Sequence, residues 1–155
     1  MGQQQLLLVI LVTIIVGIAT VVAINIFGSA ADQANRDAVR QDLMGAAVQA
    51  QAIWSRPDLM GGANRDFTRL SVIQLAERLM IPGIRTGAII ENENGEYEVT
   101  ARTETTVTVV AEPGSGGTFT LVVAWEEETN CQAWRVTLTD SQATGPVSSG
   151  GCDPA

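Results

Sequence analysis

Apolar side chains dominate the first part of the chain. Residues 6–27 are nearly all apolar, with Thr13, Thr20 and Asn25 as polar interruptions, and the first charged side chain is Asp32. A helix over this segment would be roughly 33 Å long at about 1.5 Å per residue. That length matches the hydrocarbon core of a bilayer, which is about 30 Å thick. The pattern therefore predicts a helix that is able to cross a membrane.

The helical periodicity continues beyond this segment. Between residues 32 and 54 apolar side chains recur at helical spacing, and the first strong helix breaker is Pro57. The recurring positions are Val39, Leu43, Ala46 or Ala47, Ala50, and then Ile53 or Trp54. The first part of such a helix is apolar all round and can be embedded in a membrane. The second part has one apolar stripe and can pack against a folded head. We expect one helix from about residue 2 to 55, with 1–28 as the membrane or filament-core part and 29–55 as its amphipathic half.

The period of the pattern changes to two after Pro82. Four segments alternate between apolar and polar residues, and they lie at 97–102, 106–109, 119–125 and 134–138. A fifth candidate strand lies at 88–91. The pair Asn94-Gly95 predicts a type I′ hairpin turn, and residues 113–117 predict a longer loop. The sheet is therefore expected within residues 86–140.

A second, short helix is expected in the connecting segment 56–85. It would cover residues 71–80, with Ser71 as its N-cap and with Val72, Leu75 and Leu79 on one face. Together the elements predict an α+β fold: a long N-terminal α-helix packed on a four- to five-stranded antiparallel sheet, in a head of residues 29–155.

Composition disfavours several classes of function. The chain has 17 acidic and nine basic residues and a net charge of −8, and every basic residue is arginine. An acidic protein repels nucleic-acid phosphates, so nucleic acid is not expected as a primary partner. Without histidine or lysine the chain lacks the usual neutral-pH general base and the Schiff-base nucleophile. We expect no enzymatic activity, no catalytic residues and no cofactor.

An acidic segment at 91–96 places oxygen-bearing side chains at alternate positions, like a loose calcium loop. It lacks the twelve-residue pattern of an EF-hand. An acidic hairpin tip is the favoured interpretation, and a calcium site is the alternative. Two cysteines also rule out a Cys₄ site, so we expect no metal centre.

The two cysteines, Cys131 and Cys152, stand outside a CxxC spacing and lie downstream of the apolar segment. This arrangement favours a structural disulfide in an oxidising compartment. The bond would close the loop 131–152 and stabilise the fold by roughly 3 kcal/mol. Two unpaired thiols are the alternative.

The apolar segment has two simpler interpretations. A cleaved secretory signal would use the small residues 28–31 as its cleavage site, but it requires a basic start and an apolar run of about 7–15 residues. Here the start is Gly2 followed by three glutamines, and the apolar run is longer. A single-span anchor explains the length of the run but not the amphipathic helix that continues from it.

The first ten residues, MGQQQLLLVI, resemble the mature N-terminus of a type IV pilin. That family begins with a methylated apolar residue, usually has glutamate at the fifth position, and continues with aliphatic residues. Met1 matches the methylated position and Leu6 begins the aliphatic run, whereas Gln5 replaces the glutamate. Val22 stands where many bacterial pilins have proline. The long helix and the C-terminal cysteine pair strengthen the resemblance.

The resemblance implies roles for particular residues. Met1 would follow a short leader removed by a prepilin peptidase and would be methylated. The amine of Met1 would be held by neutral acceptors, chiefly Gln5 of a neighbouring subunit. The helix in the filament core would use Leu6, Leu7, Val9, Ile10, Ile14 and Gly17. Because Gly17 follows a β-branched run, we expect either a short unwinding near it or none.

The implied function is that of a structural subunit. Copies of the chain would be held in the inner membrane before assembly. The pilus assembly machinery would then polymerise them, through their N-terminal helices, into a helical homo-oligomer on the cell surface. Such type IV pilus-like extracellular filaments serve adhesion, motility or DNA uptake. The alternatives are a pseudopilin of a type II secretion system, a membrane-anchored binding domain that never polymerises, and an extracytoplasmic enzyme.

Overall fold

A computed structural model of the chain describes residues 2–143 and 145–152. The chain divides into two compact units, Met1–Ala34 and Asn35–Ala155, whereas the sequence pattern placed the boundary after residue 28. A single α-helix, α1 (Gly2–Ser55), contributes to both units. The prediction of one helix over residues 2–55 is therefore confirmed.

In the first unit α1 is helical through the segment around Gly17. β-Branched residues and glycine have poor helix propensity, but the threonines within this run make local hydrogen bonds. Thr13 donates to the Ile10 carbonyl and Thr20 to the Val16 carbonyl, both at 2.8 Å. These bonds satisfy hydroxyls that would otherwise lack partners in an apolar environment. The single chain has no unwinding here.

The second unit contains one seven-stranded sheet in which each strand pairs antiparallel with the next strand in the chain. Its strands are β1 (Ile84–Thr86), β2 (Ile89–Glu91), β3 (Gly95–Arg102), β4 (Thr106–Pro113), β5 (Phe119–Glu128), β6 (Cys131–Asp140) and β7 (Val147–Gly150). Since neighbours in sequence are neighbours in space, every connection is a simple hairpin.

The core of the second unit lies between the later part of α1 and one face of this sheet. The helix contributes Val39, Leu43, Ala46, Ala47, Ala50, Ile53 and Trp54. The sequence pattern left open which of Ala46 and Ala47, and which of Ile53 and Trp54, is buried, and in each pair both residues are. Strands β3 to β5 contribute alternate residues, namely Tyr97, Val99, Val107, Val109, Ala111, Phe119, Leu121 and Val123. All of them belong to one buried cluster. The predicted α+β class, a long helix packed on an antiparallel sheet, is confirmed.

Short helices connect α1 to β1. Two 3₁₀ turns, Asp58–Met60 and Phe67–Arg69, precede α2 (Val72–Arg78). Ser71 caps α2 as predicted, because its hydroxyl accepts from the Gln74 N–H while the Gln74 side chain accepts from the Ser71 N–H. The helix stops short of the predicted end at residue 80, since Met80 takes a left-handed φ of 56° that a right-handed helix does not continue.

The prediction of four to five strands is wrong, because the sheet has seven. The candidate fifth strand is β2, while β1 and β7 extend beyond the predicted range 86–140. The residues of β1 and β7 are all exposed, so neither strand has the alternating burial that a sequence pattern detects. β7 also lies in a stretch rich in glycine and serine. Both are edge strands that form through main-chain pairing to a longer neighbour.

The predicted type I′ turn at Asn94-Gly95 is also wrong. That turn requires a positive φ at both central residues, and neither residue has one. Instead the Asn92 side-chain oxygen accepts from the N–H groups of Asn94 (2.9 Å) and Gly95 (3.1 Å), as in an Asx turn. Glycine at position 95 allows the backbones of β3 and β4 to approach closely. A Cβ there would lie 2.2 Å from the carbonyl oxygen of Glu112 on β4.

Replacing Gly95 with alanine should therefore destabilise the fold. The added methyl group must push β3 and β4 apart, at a cost of about 2 kcal/mol in the free energy of unfolding. Gly114→Ala is the matched control in the neighbouring loop, because a Cβ there meets its nearest atom, the Asn94 carbonyl oxygen, at 3.8 Å. Denaturant titration of both variants in detergent measures the difference, and equal effects of the two substitutions would contradict the close-approach account.

Candidate functional site

The side chains of the first unit are exposed along almost the whole length of its helix. Leu6 is 63% exposed and Phe27 is 74% exposed, with large aliphatic side chains between them exposed to a similar extent. A continuous apolar surface of this length exceeds the patches that soluble monomers normally present to water. Among the described residues, α1 is the one helix long and apolar enough to cross a membrane. By length and composition, this segment can span or anchor a membrane.

The residues expected in a filament core all lie on this exposed segment. They are Leu6, Leu7, Val9, Ile10, Ile14 and Gly17. Leu6, Ile10 and Ile14 recur four residues apart and so follow one face of the helix. Apart from its two chain neighbours and the backbone of the helix itself, no heavy atom lies within 4 Å of the position that a Cβ of Gly17 would occupy. The glycine therefore leaves a notch in the apolar face, where another helix can approach closely.

Gln5 directly precedes Leu6 in the helix and is exposed. Its side-chain oxygen can accept hydrogen bonds and its nitrogen can donate them, and the group carries no charge. Met1, the residue expected to be processed and methylated, lies outside the described residues. The pairing of Gln5 with the amine of Met1 stays a prediction.

In the second unit, the polar side of α1 is fixed to the sheet through Asp140, at the end of β6. The Asp140 carboxylate, 8% exposed, accepts hydrogen bonds from the guanidinium groups of Arg36 and Arg40, the latter at 2.8 Å. Both guanidinium groups also lie over the Phe119 ring, 4.9 and 5.2 Å from its centroid. Burial raises the pKa of Asp140, but hydrogen bonds from Arg36, the Gln142 backbone and Arg40 outweigh it and hold the pKa below its ordinary value.

Asp42 forms a second polar anchor on α1. One of its carboxylate oxygens accepts from the Tyr97 hydroxyl at 2.7 Å and from the amides of Asn94 and Asn92 at 3.1 and 3.2 Å. Burial, followed by the bond to Asp42, raises the pKa of Tyr97 well above its ordinary value. The phenol therefore stays protonated and continues to donate its hydrogen bond.

These contacts also hold the acidic segment 91–96 against α1. Asn92 and Asn94 direct their amides at Asp42, and the Asn94 carbonyl accepts from the Asn35 amide at 2.9 Å. Asn35 in turn accepts from the Ser115 N–H at 3.1 Å. The loops that follow β2 and β4 are therefore both fastened to α1. Within residues 2–143 and 145–152, no group of three or more His, Cys, Asp or Glu side chains is arranged to hold a metal ion.

The disulfide expected between Cys131 and Cys152 is present, with the two Cα atoms 5.8 Å apart. It joins the start of β6 to the residues after β7. The Cys152 N–H also donates to the Glu126 carboxylate at 2.8 Å, and Arg135 donates both to that carboxylate and, at 2.9 Å, to the Cys152 carbonyl. The bond from Arg135 and that from Cys152 lower the pKa of Glu126. The C-terminal segment is thus held by one covalent bond and a polar network.

Three tryptophans meet at the opposite end of the helix stripe from Asp140. The ring centroids of Trp54, Trp125 and Trp134 lie 5.0 to 5.3 Å apart, with two of the three pairs in edge-to-face geometry. The guanidinium of Arg65 lies 5.0 Å from the Trp54 ring centroid and 5.9 Å from that of Trp125. A groove of about 660 Å³ opens beside the cluster, and Gln51 and Gln132 are among the residues that line it.

Sequence reasoning missed the polar anchors and the tryptophan cluster. Arg36 and Arg40 stand one helical turn apart, which was the visible signal that one acidic group can bind both. Their partner Asp140 lies about a hundred residues away, and no local pattern identifies it. The tryptophans were recognised as members of separate elements, and the fold brings them together.

Replacing Asp140 with asparagine should destabilise the head strongly. The substitution leaves the guanidinium of Arg36, which is 12% exposed, without its counter-charge, at a cost of about 3 kcal/mol in the free energy of unfolding. Asp37→Asn is the matched control, because Asp37 also pairs with Arg40, at 2.9 Å, but is 71% exposed. That control should change stability by less than about 0.5 kcal/mol. Similar losses in the two variants would contradict the anchor.

The lowered pKa of Asp140 predicts that the free energy of unfolding depends on pH in the acid range. Since the pKa of Asp140 is lower in the folded chain than its ordinary value of 3.8, the unfolded chain binds the proton first. The stability that Asp140 contributes is complete above that ordinary value and is lost as the pH falls through the folded pKa. The difference in unfolding free energy between the native chain and Asp140→Asn should therefore shrink as the pH falls from about 5 to about 2. A difference that is constant over this interval would show that the carboxylate carries no such contribution.

Comparison with known proteins identifies no relative of this chain. No protein-family model, characterised protein or solved structure matches it. The resemblance to the type IV pilins therefore stands on the residues themselves: the N-terminal sequence, the long helix with its antiparallel sheet, and the C-terminal cysteine pair.

Proposed function

We propose that this chain is a structural subunit of a type IV pilus-like filament, which polymerises through its N-terminal helix. Before assembly the apolar segment lies in the inner membrane, and afterwards the heads face outward from an extracellular fibre. The observation that carries the proposal is the uncovered apolar surface of residues 6–27 on the same helix that fills the core of the second unit.

The apolar segment has two possible environments that remove it from water, namely lipid tails and other apolar helices. Moving from one to the other gains no net hydrophobic transfer energy, so assembly must depend on close packing and on polar contacts between helices. Gly17 offers the close approach, with open space where its side chain would be. The glutamines at positions 3 to 5 offer polar contacts at the start of the helix.

Burial of the charged N-terminal amine of each subunit is the main electrostatic cost of this assembly. An ammonium group that is buried without a partner is strongly unfavourable. Gln5 supplies a neutral acceptor where the pilin family usually supplies a carboxylate, and Gln3 and Gln4 add acceptors nearby. We infer that such acceptors hold the amine of a neighbouring subunit, so that the filament tolerates the loss of the acid.

A pseudopilin of a type II secretion system and a membrane-anchored binding domain share the same helix. The three proposals differ in where the chain is found. A pilus subunit is recovered in fibres sheared from the cell surface, a pseudopilin in short fibres of the cell envelope, and an anchored domain as a monomer in the membrane fraction.

Substitutions at Gln5 test the role of the N-terminal acceptor. In cells that produce the chain, Gln5→Leu keeps the helix but removes the acceptor, and it should reduce the yield of sheared fibres at least tenfold. Gln5→Glu restores the acid that is usual in pilins and should preserve the yield, because a carboxylate pairs with the ammonium group. Immunoblots of the sheared and membrane fractions measure assembly against the amount of chain made.

Two results would count against this role. Equal fibre yield from the native chain and Gln5→Leu would exclude pairing through Gln5, and detection of the chain only at fibre tips would indicate an initiating subunit. Absence of the chain from every sheared fibre, with normal amounts in the membrane, would instead support the anchored binding domain.

A further inference from the structure

The groove beside the tryptophan cluster has features of a ligand site that the assembly function does not use. Trp54 is 5% exposed and belongs to the core, whereas Trp125 and Trp134 are only partly buried and line the groove. Ligand sites in proteins are typically concave, of about 300–1,000 Å³, and combine aromatic walls with a few polar groups. At about 660 Å³ this groove falls within that range.

One residue that lines the groove, Trp125, has an unused hydrogen-bond donor. The indole N–H of Trp125 is buried and has no hydrogen-bond partner, in contrast to that of Trp54, which donates to the Glu104 carbonyl at 3.3 Å. A buried polar group without a partner is destabilising, and such groups require an explanation. A ligand oxygen that reached this N–H would give it an acceptor.

Arg65 supplies the charge at this site. It is the only charged residue among the described residues that line the groove, and no ion pair to it is formed within residues 2–143 and 145–152. Its guanidinium packs against the faces of two indole rings. Stacking of this kind leaves the five N–H donors, which lie in the guanidinium plane, free to bind a carboxylate. The site therefore favours an anion.

The angle between the Trp125 and Trp134 rings distinguishes between a flat aromatic anion and an acidic sugar as the ligand. Trp125 and Trp134 stand at 64° to each other, so they form a corner rather than a parallel slot, and a flat aromatic ligand cannot stack on both. A sugar ring has apolar C–H faces that contact an indole and hydroxyl groups that contact amides. Gln51 and Gln132 line the groove. The Gln132 nitrogen donates to the Glu127 carboxylate at 2.6 Å, so its oxygen is left to accept, whereas the Gln51 amide can both donate and accept hydrogen bonds.

We propose that this groove binds an acidic saccharide, whose sugar face packs on the partly buried indoles of Trp125 and Trp134 and whose carboxylate binds Arg65. The inference concerns the head alone and is independent of whether the chain assembles into filaments. If both hold, each subunit of the filament presents one saccharide site.

The chain contains a built-in reporter for this site, because its three tryptophans are all members of the cluster. Titration of the full-length chain in detergent with a galacturonic acid trisaccharide should give a saturable change in tryptophan fluorescence. The neutral galactose trisaccharide should bind about tenfold more weakly, because it lacks the charge-assisted hydrogen bond to Arg65. Phenylacetate, a flat aromatic carboxylate, should bind more weakly than the acidic trisaccharide.

Variants separate a specific site from general attraction. Arg65→Gln should remove most of the preference for the acidic over the neutral trisaccharide, and Gln51→Ala should weaken binding of both. Arg69→Gln is the matched control, since Arg69 lies on the same connecting segment, is 48% exposed and is 3.6 Å from Asp58. It should leave both affinities unchanged. Thermal unfolding of each variant establishes that the head is folded.

The proposal is overturned by any of four outcomes. These are the lack of a saturable fluorescence change with either trisaccharide, equal affinity of the native chain for both trisaccharides, tighter binding of phenylacetate than of the acidic trisaccharide, and an equal loss of binding in Arg65→Gln and Arg69→Gln. None of these outcomes bears on filament formation, so failure here leaves the proposed function intact.

Discussion

The apolar surface of residues 6–27 is the constraint on which the rest of this account depends. Its side chains are uncovered in the single chain, and the hydrophobic effect strongly opposes their exposure to water. By length and composition, the segment can span or anchor a membrane. Its backbone satisfies its own hydrogen bonds, as required of any segment within lipid, and its threonines bond to carbonyls one turn back.

The second unit shows how the same helix serves a different environment. Beyond residue 35 its apolar stripe fills the core, and its polar residues hold the ends of the sheet. Asp140 binds two arginines of α1, while Asp42 and Asn35 fasten the loops after β2 and β4. These contacts link residues distant in the chain, so they hold the hairpins in register with the helix.

Local patterns predicted the elements of this fold better than the contacts among them. Spacing identified α1 and its buried positions, and Ser71 was recognisable as a cap because capping depends on residues three apart. Strands β1 and β7 were missed because edge strands without buried side chains have no periodic signal. The turn at Asn94-Gly95 was misassigned because the pattern cannot reveal that Gly95 is needed for its approach to Glu112. The pairing of Asp140 with Arg36, and the meeting of three tryptophans, depend on tertiary structure.

The proposed function requires that residues 6–27 contact other copies of this chain. A photo-reactive amino acid at Ile10, incorporated in cells that produce the chain, tests it by covalently trapping whatever lies against that face. A filament subunit should give a ladder of cross-linked multimers in sheared fibres, with this chain identified as the trapped partner by mass spectrometry. Cross-linking only to lipid, with the chain remaining monomeric in every fraction, would contradict it.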